Sequence, residues 1–234
     1  MTFRMIHLAE TDSTNRHLRE LGGDDDVCVC ADFQTAGRGC GTNHWESERG
    51  KNLLFSVRLH PVGVKASEQY LISMAAAVAI ARALLYKGVE TVSIKWPNDI
   101  YVGDGKICGI LIENRLSGDC IRESIVGVGV NVNQTRFVSD APNPVSLRQL
   151  TGRDTDCEQL LGDILGLFTL EHPDELRRQY RRLLYRREGF HPYRDADGPF
   201  EAELVDVEND GHLLLRDHGG RMRRYAFKEV AFGL

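Results

Sequence analysis

The sequence predicts an α+β fold: a largely antiparallel mixed sheet with helices packed on it, followed by a small all-β module. Three observations carry this. "SEQYLISMAAAVAIARALLYKG" repeats apolar residues at Leu71, Ala75, Val78, Ala81 and Leu85, the pattern of a buried helix of about five turns. "VSIKWPNDIYV", "GKICGILIEN" and "IRESIVGVGVNVNQ" follow as three strand candidates in succession, with short turns between them. The tail after residue 197 alternates, turns at "NDG" and "HGG", and reads as four or so short strands.

The other elements follow in order. "FRMIHLAE" reads as a strand, and "TDSTNRHLRELGG" gives a cap, a short helix with Leu18 and Leu21, and a glycine stop. "VCVCADFQ" is a second strand, then comes a glycine-rich loop, and "NLLFSVRL" is a third strand. Beyond a polar loop around Pro142 and Pro144, helices resume from about Cys157 to Arg187. "FHPYRDADGP" reads as a linker, so the domains are expected at 1–192 and 197–234.

Bulk properties exclude some functions. A net charge of −5 does not favour non-specific nucleic-acid binding. No apolar run reaches the roughly 18 residues of a membrane span. "MTFRMIHLAETDS" lacks an apolar signal core, so a cytoplasmic address is expected. The cysteines form no C-x-x-C, and Cys28 and Cys30 share one strand face, as reduced and mostly buried thiols do. In "RRQYRRLLYRR", Leu176, Tyr180, Leu183 and Leu184 share one helix face, with arginines across the other and Glu171, Asp174 and Glu175 ahead of them. That is a solvated amphipathic helix, with an acidic protein partner as the alternative.

Four stretches carry chemistry. In "QTAGRGCGTNHW" the glycines match neither a dinucleotide fingerprint nor a P-loop, and a strand comes next. Arg38 is a forked partner for phosphate or carboxylate and Trp45 a stacking surface; alternatively, Trp45 plugs the core from a surface loop. In "IVGVGVNVN", Val126, Val128, Val130 and Val132 face one way, while Gly127, Gly129 and Asn131 face the other. The bare side suits a flat ligand or a closely packed helix. "TDSTN" presents Ser13, Thr14 and Asn15 at a helix start, as ligand groups or as a simple N-cap. "KWPND" sets Lys95, Asn98 and Asp99 around Pro97, which must sit at an edge or bulge. Asn98 and Asp99 suit a phosphate-bound Mg²⁺, a ribose or a plain turn, and Lys106 is a lone cation for phosphate, carboxylate or solvent.

With "TDSTN", "QTAGRG", "KWPND…GK…GILIE" and "GVGVNVN" in this order, the sequence resembles the biotin protein ligases from residue 6 to about residue 190. The tail is similar to that family's small C-terminal SH3-like β-barrel domain. The resemblance implies a class II synthetase-like catalytic fold and two steps, with ATP, Mg²⁺ and biotin required. Biotin is activated as biotinyl-5′-AMP, then passed to a lysine of a biotin carboxyl carrier domain of a carboxylase. It implies biotin contacts at Ser13, Thr14, Asn15, Gln34, Gly37, Arg38, Gly39, Lys106, Gly109, Leu111, Gly127 and Gly129. It implies ATP or adenylate contacts at Arg38, Gly39, Cys40, Trp45, Asn98, Lys106 and Asn131, catalytic roles for Lys106 and Arg38, and Mg²⁺ at Asn98 and Asp99. Family members are monomers or homodimers. The rivals are a lipoate-protein ligase and a non-catalytic biotin-binding sensor.

There are two departures from the family. Its loop commonly reads G-R-G-R-x-G, whereas here Cys40 stands at the second arginine and Thr42 at the last glycine. The adenylate is therefore expected to be held less tightly, unless His44 or Lys51 compensates. The pattern also starts at Ile6, which leaves no space for the winged helix-turn-helix of bifunctional members, so specific DNA binding is not expected.

Overall fold

The computed structural model describes residues 2–41, 43–139 and 143–233, so Thr42 and Pro142 lie outside the described residues. The larger sheet is built from β1 (Arg4–Leu8), β2 (Val27–Ala31), β3 (Leu53–Leu59), β4 (Val92–Lys95), β5 (Asp99–Val102), β6 (Gly105–Ser117) and β7 (Cys120–Val130). Their spatial order is β1-β2-β3-β7-β6-β5-β4. Only β1 and β2 pair in parallel, because α1 (Thr14–Leu21) crosses between them; the later strands run antiparallel. Pro97 sits in the turn of the β4–β5 hairpin, at the sheet edge, where no ladder hydrogen bond is lost.

Helix α2 (Tyr70–Tyr86) is apolar on nearly every side, and it is buried on nearly every side. The predicted stripe is too narrow: Ile72, Ala77, Ile80 and Leu84 are also buried, whereas Leu85 is 40% exposed. Contrary to the sequence expectation, Ala66–Tyr86 has the length and mean hydropathy of a membrane span. Its most apolar window is 72% buried, packed against the sheet and against α4 (Cys157–Leu167) and α5 (Pro173–Arg182).

Helix α3 (Leu147–Thr151) was not expected from sequence, being too short for a period to show. A capping box defines it, with Ser146 and Gln149 satisfying each other's backbone N–H groups. Helix α5 carries Asp174 and Glu175 in its first turn and Arg181 and Arg182 in its last. It stops short of Arg187 because Leu183 and Tyr185 turn to pair with Ile94 of β4, at 2.6 and 2.9 Å.

The expected linker is structured. β8 (Phe190–Asp195) pairs with β9 (Gly198–Val207), so the C-terminal sheet begins at Phe190. It continues through β10 (Leu213–Asp217) and β11 (Met222–Tyr225) to the two-residue β12 (Ala231–Phe232). The order is β11-β10-β9-β8-β12, and among the described residues no pairing of β11 with β12 closes it into a barrel. Trp96 Nε1 donates to Gly211 O at 2.8 Å, which joins this sheet to the β4–β5 turn. Tyr70 OH donates to Pro97 O at 2.7 Å behind the same turn. A Cβ on Gly211, whose φ is 92°, would meet the Tyr70 ring at 2.7 Å.

Candidate functional site

Strand β7 sets the floor. Val126, Val128 and Val130 face the core, and Val132 joins them past the strand end. Gly127 pairs with Leu111 of β6 and Ser56 of β3, and Gly129 with Gly109 and Leu54. A Cβ on Gly127 would overlap the Asn15 amide; on Gly129 it would stand 2.6 Å from Trp45 Nε1, and on Gly109 2.9 Å from Trp45 Cζ3. The close-packing reading of the bare face therefore holds at Gly127, while at Gly109 and Gly129 the neighbour is the loop residue Trp45. Helix α1 packs on Gly127, and the Trp45 indole lies across Gly109 and Gly129. Trp45 is only half-buried, so it does not plug the core.

Over this floor lies a cavity of about 720 Å³, within the roughly 300–1,000 Å³ usual for small-molecule sites. Ser13, Thr14, Asn15, Gln34, Arg38, Gly39, Cys40, Trp45, Asn98, Asp99, Lys106, Gly109, Leu111, Gly127, Gly129 and Asn131 all line it. Gly37 does not. It is buried, and its carbonyl accepts the Trp45 N–H at 3.0 Å, so it shapes the loop. Lys95 also stays out, with its ammonium 3.1 Å from Tyr101 OH and 5.3 Å from the Phe232 ring centre.

One end of the cavity is a network of hydroxyls and amides that leads to the Glu113 carboxylate. Ser13 holds the N-cap position, yet its hydroxyl makes no cap hydrogen bond. The Thr14 N–H and hydroxyl both donate to Gln34 Oε1, at 2.7 and 3.0 Å. The fully buried Ser56 hydroxyl lies 2.7 Å from Thr14 Oγ1 and 2.6 Å from Asn15 Oδ1. Asn15 Nδ2 donates to Glu113 Oε2 at 3.0 Å. Glu113 Oε1 accepts from Arg19 at 2.7 Å and from Arg38 at 2.9 Å. Burial pushes the Glu113 carboxyl up, but the hydrogen bonds from Arg19 and Asn15 and the charges of Arg19 and Arg38 outweigh it and hold the pKa below the usual value.

The other end is charged. Lys106 Nζ lies 2.7 Å from Asp99 Oδ1 and 5.8 Å from the Trp45 ring centre. Asn98 Nδ2 donates to Ile110 O at 2.6 Å and to Cys40 Sγ at 2.9 Å. Burial pushes the Cys40 thiol up, which disfavours the thiolate. Asn131 donates to Val145 O at 3.2 Å, which ties the segment before α3 to the cavity wall. Among the described residues the buried Trp45 Nε1 has no hydrogen-bond partner, which makes it an N–H donor at the glycine floor. At the two positions expected to hold Mg²⁺, the Asp99 carboxylate is paired with Lys106, and the Asn98 amide nitrogen donates twice, so the amide oxygen is the atom Asn98 would offer a cation.

Sequence reasoning missed Glu113, Ser56 and Phe227, a wall residue from the turn between β11 and β12. Glu113 stood inside the quoted "GILIEN" with no local mark of its role. Of the two residues considered as substitutes for an arginine at position 40, His44 lines the cavity and Lys51 does not.

Comparison with known proteins adds independent findings. The Biotin/lipoate A/B protein ligase family matches residues 7–131. A biotin--[acetyl-CoA-carboxylase] ligase of Paracoccus denitrificans is 32% identical, covering 97% of this chain and 99% of the relative. The bifunctional ligase/repressor BirA of Bacillus spizizenii is 28% identical, covering 94% of this chain and 70% of its own length. The structure of an Aquifex aeolicus biotin protein ligase in complex with biotin and ATP superposes with a TM-score of 0.77 at 26% identity, covering 97% of each chain.

Proposed function

Because the chain belongs to the biotin/lipoate A/B protein ligase family, we propose that it activates biotin with ATP and transfers it to a lysine of a biotin carboxyl carrier domain. One observation carries this reading. Arg38 and Lys106 reach a single cavity from opposite sides of a glycine floor, with the polar network of Ser13, Thr14 and Gln34 at one end.

In the first step a biotin carboxylate oxygen bonds to the α-phosphorus of ATP. The bond from that phosphorus to the bridging oxygen breaks, and pyrophosphate leaves with the electron pair. In the second, the free amine of the acceptor lysine adds to the acyl carbon. The acyl carbon–oxygen bond breaks, AMP leaves, and the surplus proton passes to solvent. The chain contributes positioning and charge neutralisation. The polar network offers donors and acceptors to the ureido end, Lys106, paired with Asp99 in the cavity, is the cation for the carboxylate and α-phosphate in this reading, and Arg38 is oriented by Glu113. Mg²⁺ arrives with the phosphates of the nucleotide.

ATP–pyrophosphate exchange with Mg²⁺, run with biotin, with lipoate and with neither, tests this. Exchange that requires biotin is the expected result, and Lys106→Gln then lowers it by roughly 10²–10³. Exchange with lipoate alone makes the protein a lipoate ligase. Biotin binding without exchange makes it a sensor.

A further inference from the structure

The cations around the cavity are unequally committed. Arg38 is paired with Glu113 at 2.9 Å and Lys106 with Asp99 at 2.7 Å. The turn between β11 and β12 contributes Phe227 to the cavity wall, and the next residue is Lys228. The Lys228 ammonium lies 3.0 Å from where a Cβ on Gly41 would stand, so it rests against the loop directly beside Cys40. The Cys40 thiol, pushed up by burial, is drawn the other way by the charges of both Lys106 and Lys228.

Among the described residues no carboxylate lies within ion-pair distance of Lys228. The neighbouring Glu229 turns its carboxylate to the Ala226 N–H, at 2.7 Å. Lys228 also holds a φ of 71°, in the left-handed region that suits glycine. A long charged residue kept on such a backbone points to a use for its side chain.

We propose that Lys228 binds the nucleotide. Its ammonium contacts the phosphates of ATP, and then the phosphate of the adenylate, from the side facing Lys106, and Gly41 leaves the room for it. A cation from the turn between β11 and β12 thus stands beside the loop position that carries Cys40. This inference rests on the reading of the cavity as the site of ATP-dependent biotin activation.

The test compares Lys228→Gly, Lys228→Gln and Lys228→Arg with the wild-type chain in biotin-dependent ATP–pyrophosphate exchange, with KM for ATP and for biotin measured separately. The Gly and Gln variants are expected to raise KM for ATP about tenfold, the loss of one charge-assisted contact. KM for biotin stays at the wild-type value, and Arg restores ATP use. Glycine fits the left-handed backbone, so Lys228→Gly melts no lower than wild type, which separates lost binding from lost folding. An unchanged KM for ATP in the Gly and Gln variants overturns the inference while leaving the activation reading intact, as does a defect confined to the carrier substrate. A wild-type chain that shows no biotin-dependent exchange overturns both.

Discussion

Glu113 gathers Arg19, Arg38 and Asn15 around one carboxylate, so α1, the glycine-rich loop and β6 meet at a single charge. Glu113→Gln keeps the shape and removes the charge. It should raise KM for biotin and lower kcat several-fold, with little change in KM for ATP, and steady-state kinetics would check this. The pH dependence follows from the lowered pKa. The stability contributed by Glu113 is fully present above the carboxyl pKa of the unfolded chain, about 4.3. It is lost as pH falls through the lower folded value. Acid unfolding of wild type below pH ~4 should therefore be steeper than that of Glu113→Gln. Gly127 and Gly129 were legible in the sequence because a strand has a fixed period, so a bare face shows as alternation. Glu113 was not, because its partners lie 75 to 98 residues away and nothing local marks them.

At the scale of elements, α2 was legible by its composition, but its burial was underestimated. A helix enclosed on all sides has no polar stripe, so periodicity understates how much of it is core. Ile80 is fully buried there, beside Phe55, Val57 and Val126. Ile80→Ala should cost about 2–5 kcal/mol, read from urea unfolding; a loss below about 1 kcal/mol would mean that this part of the core is not close-packed. Strand β8 was missed for a different reason. Its "FHPYRDADGP" context carries two prolines and a glycine, which signal a break, yet Pro192 is tolerated at the pairing with Glu201. Only the partner strand, further along the chain, reveals the pairing.

At the scale of the whole molecule, the two sheets share one hydrophobic cluster that runs from Cys28 through α2 to Tyr193, Leu204 and Val230. Polar contacts reinforce the junction: Trp96 to Gly211, and Arg181 to both carboxylate oxygens of Asp206 at 2.6 and 2.7 Å. Cooperative unfolding as one unit is expected. Denaturation followed by far-UV circular dichroism and by tryptophan fluorescence should give coincident transitions; a separate early transition in the C-terminal strands would contradict it. The enclosure of α2 also bears on how the chain reaches this state. The helix leaves the ribosome before β6, α4 and α5, which pack on it, have been made. For that interval a segment as oily as a lipid-spanning one is unshielded in water, so yield in the cell should depend on synthesis rate and on holdase chaperones more than the stability of the finished protein suggests.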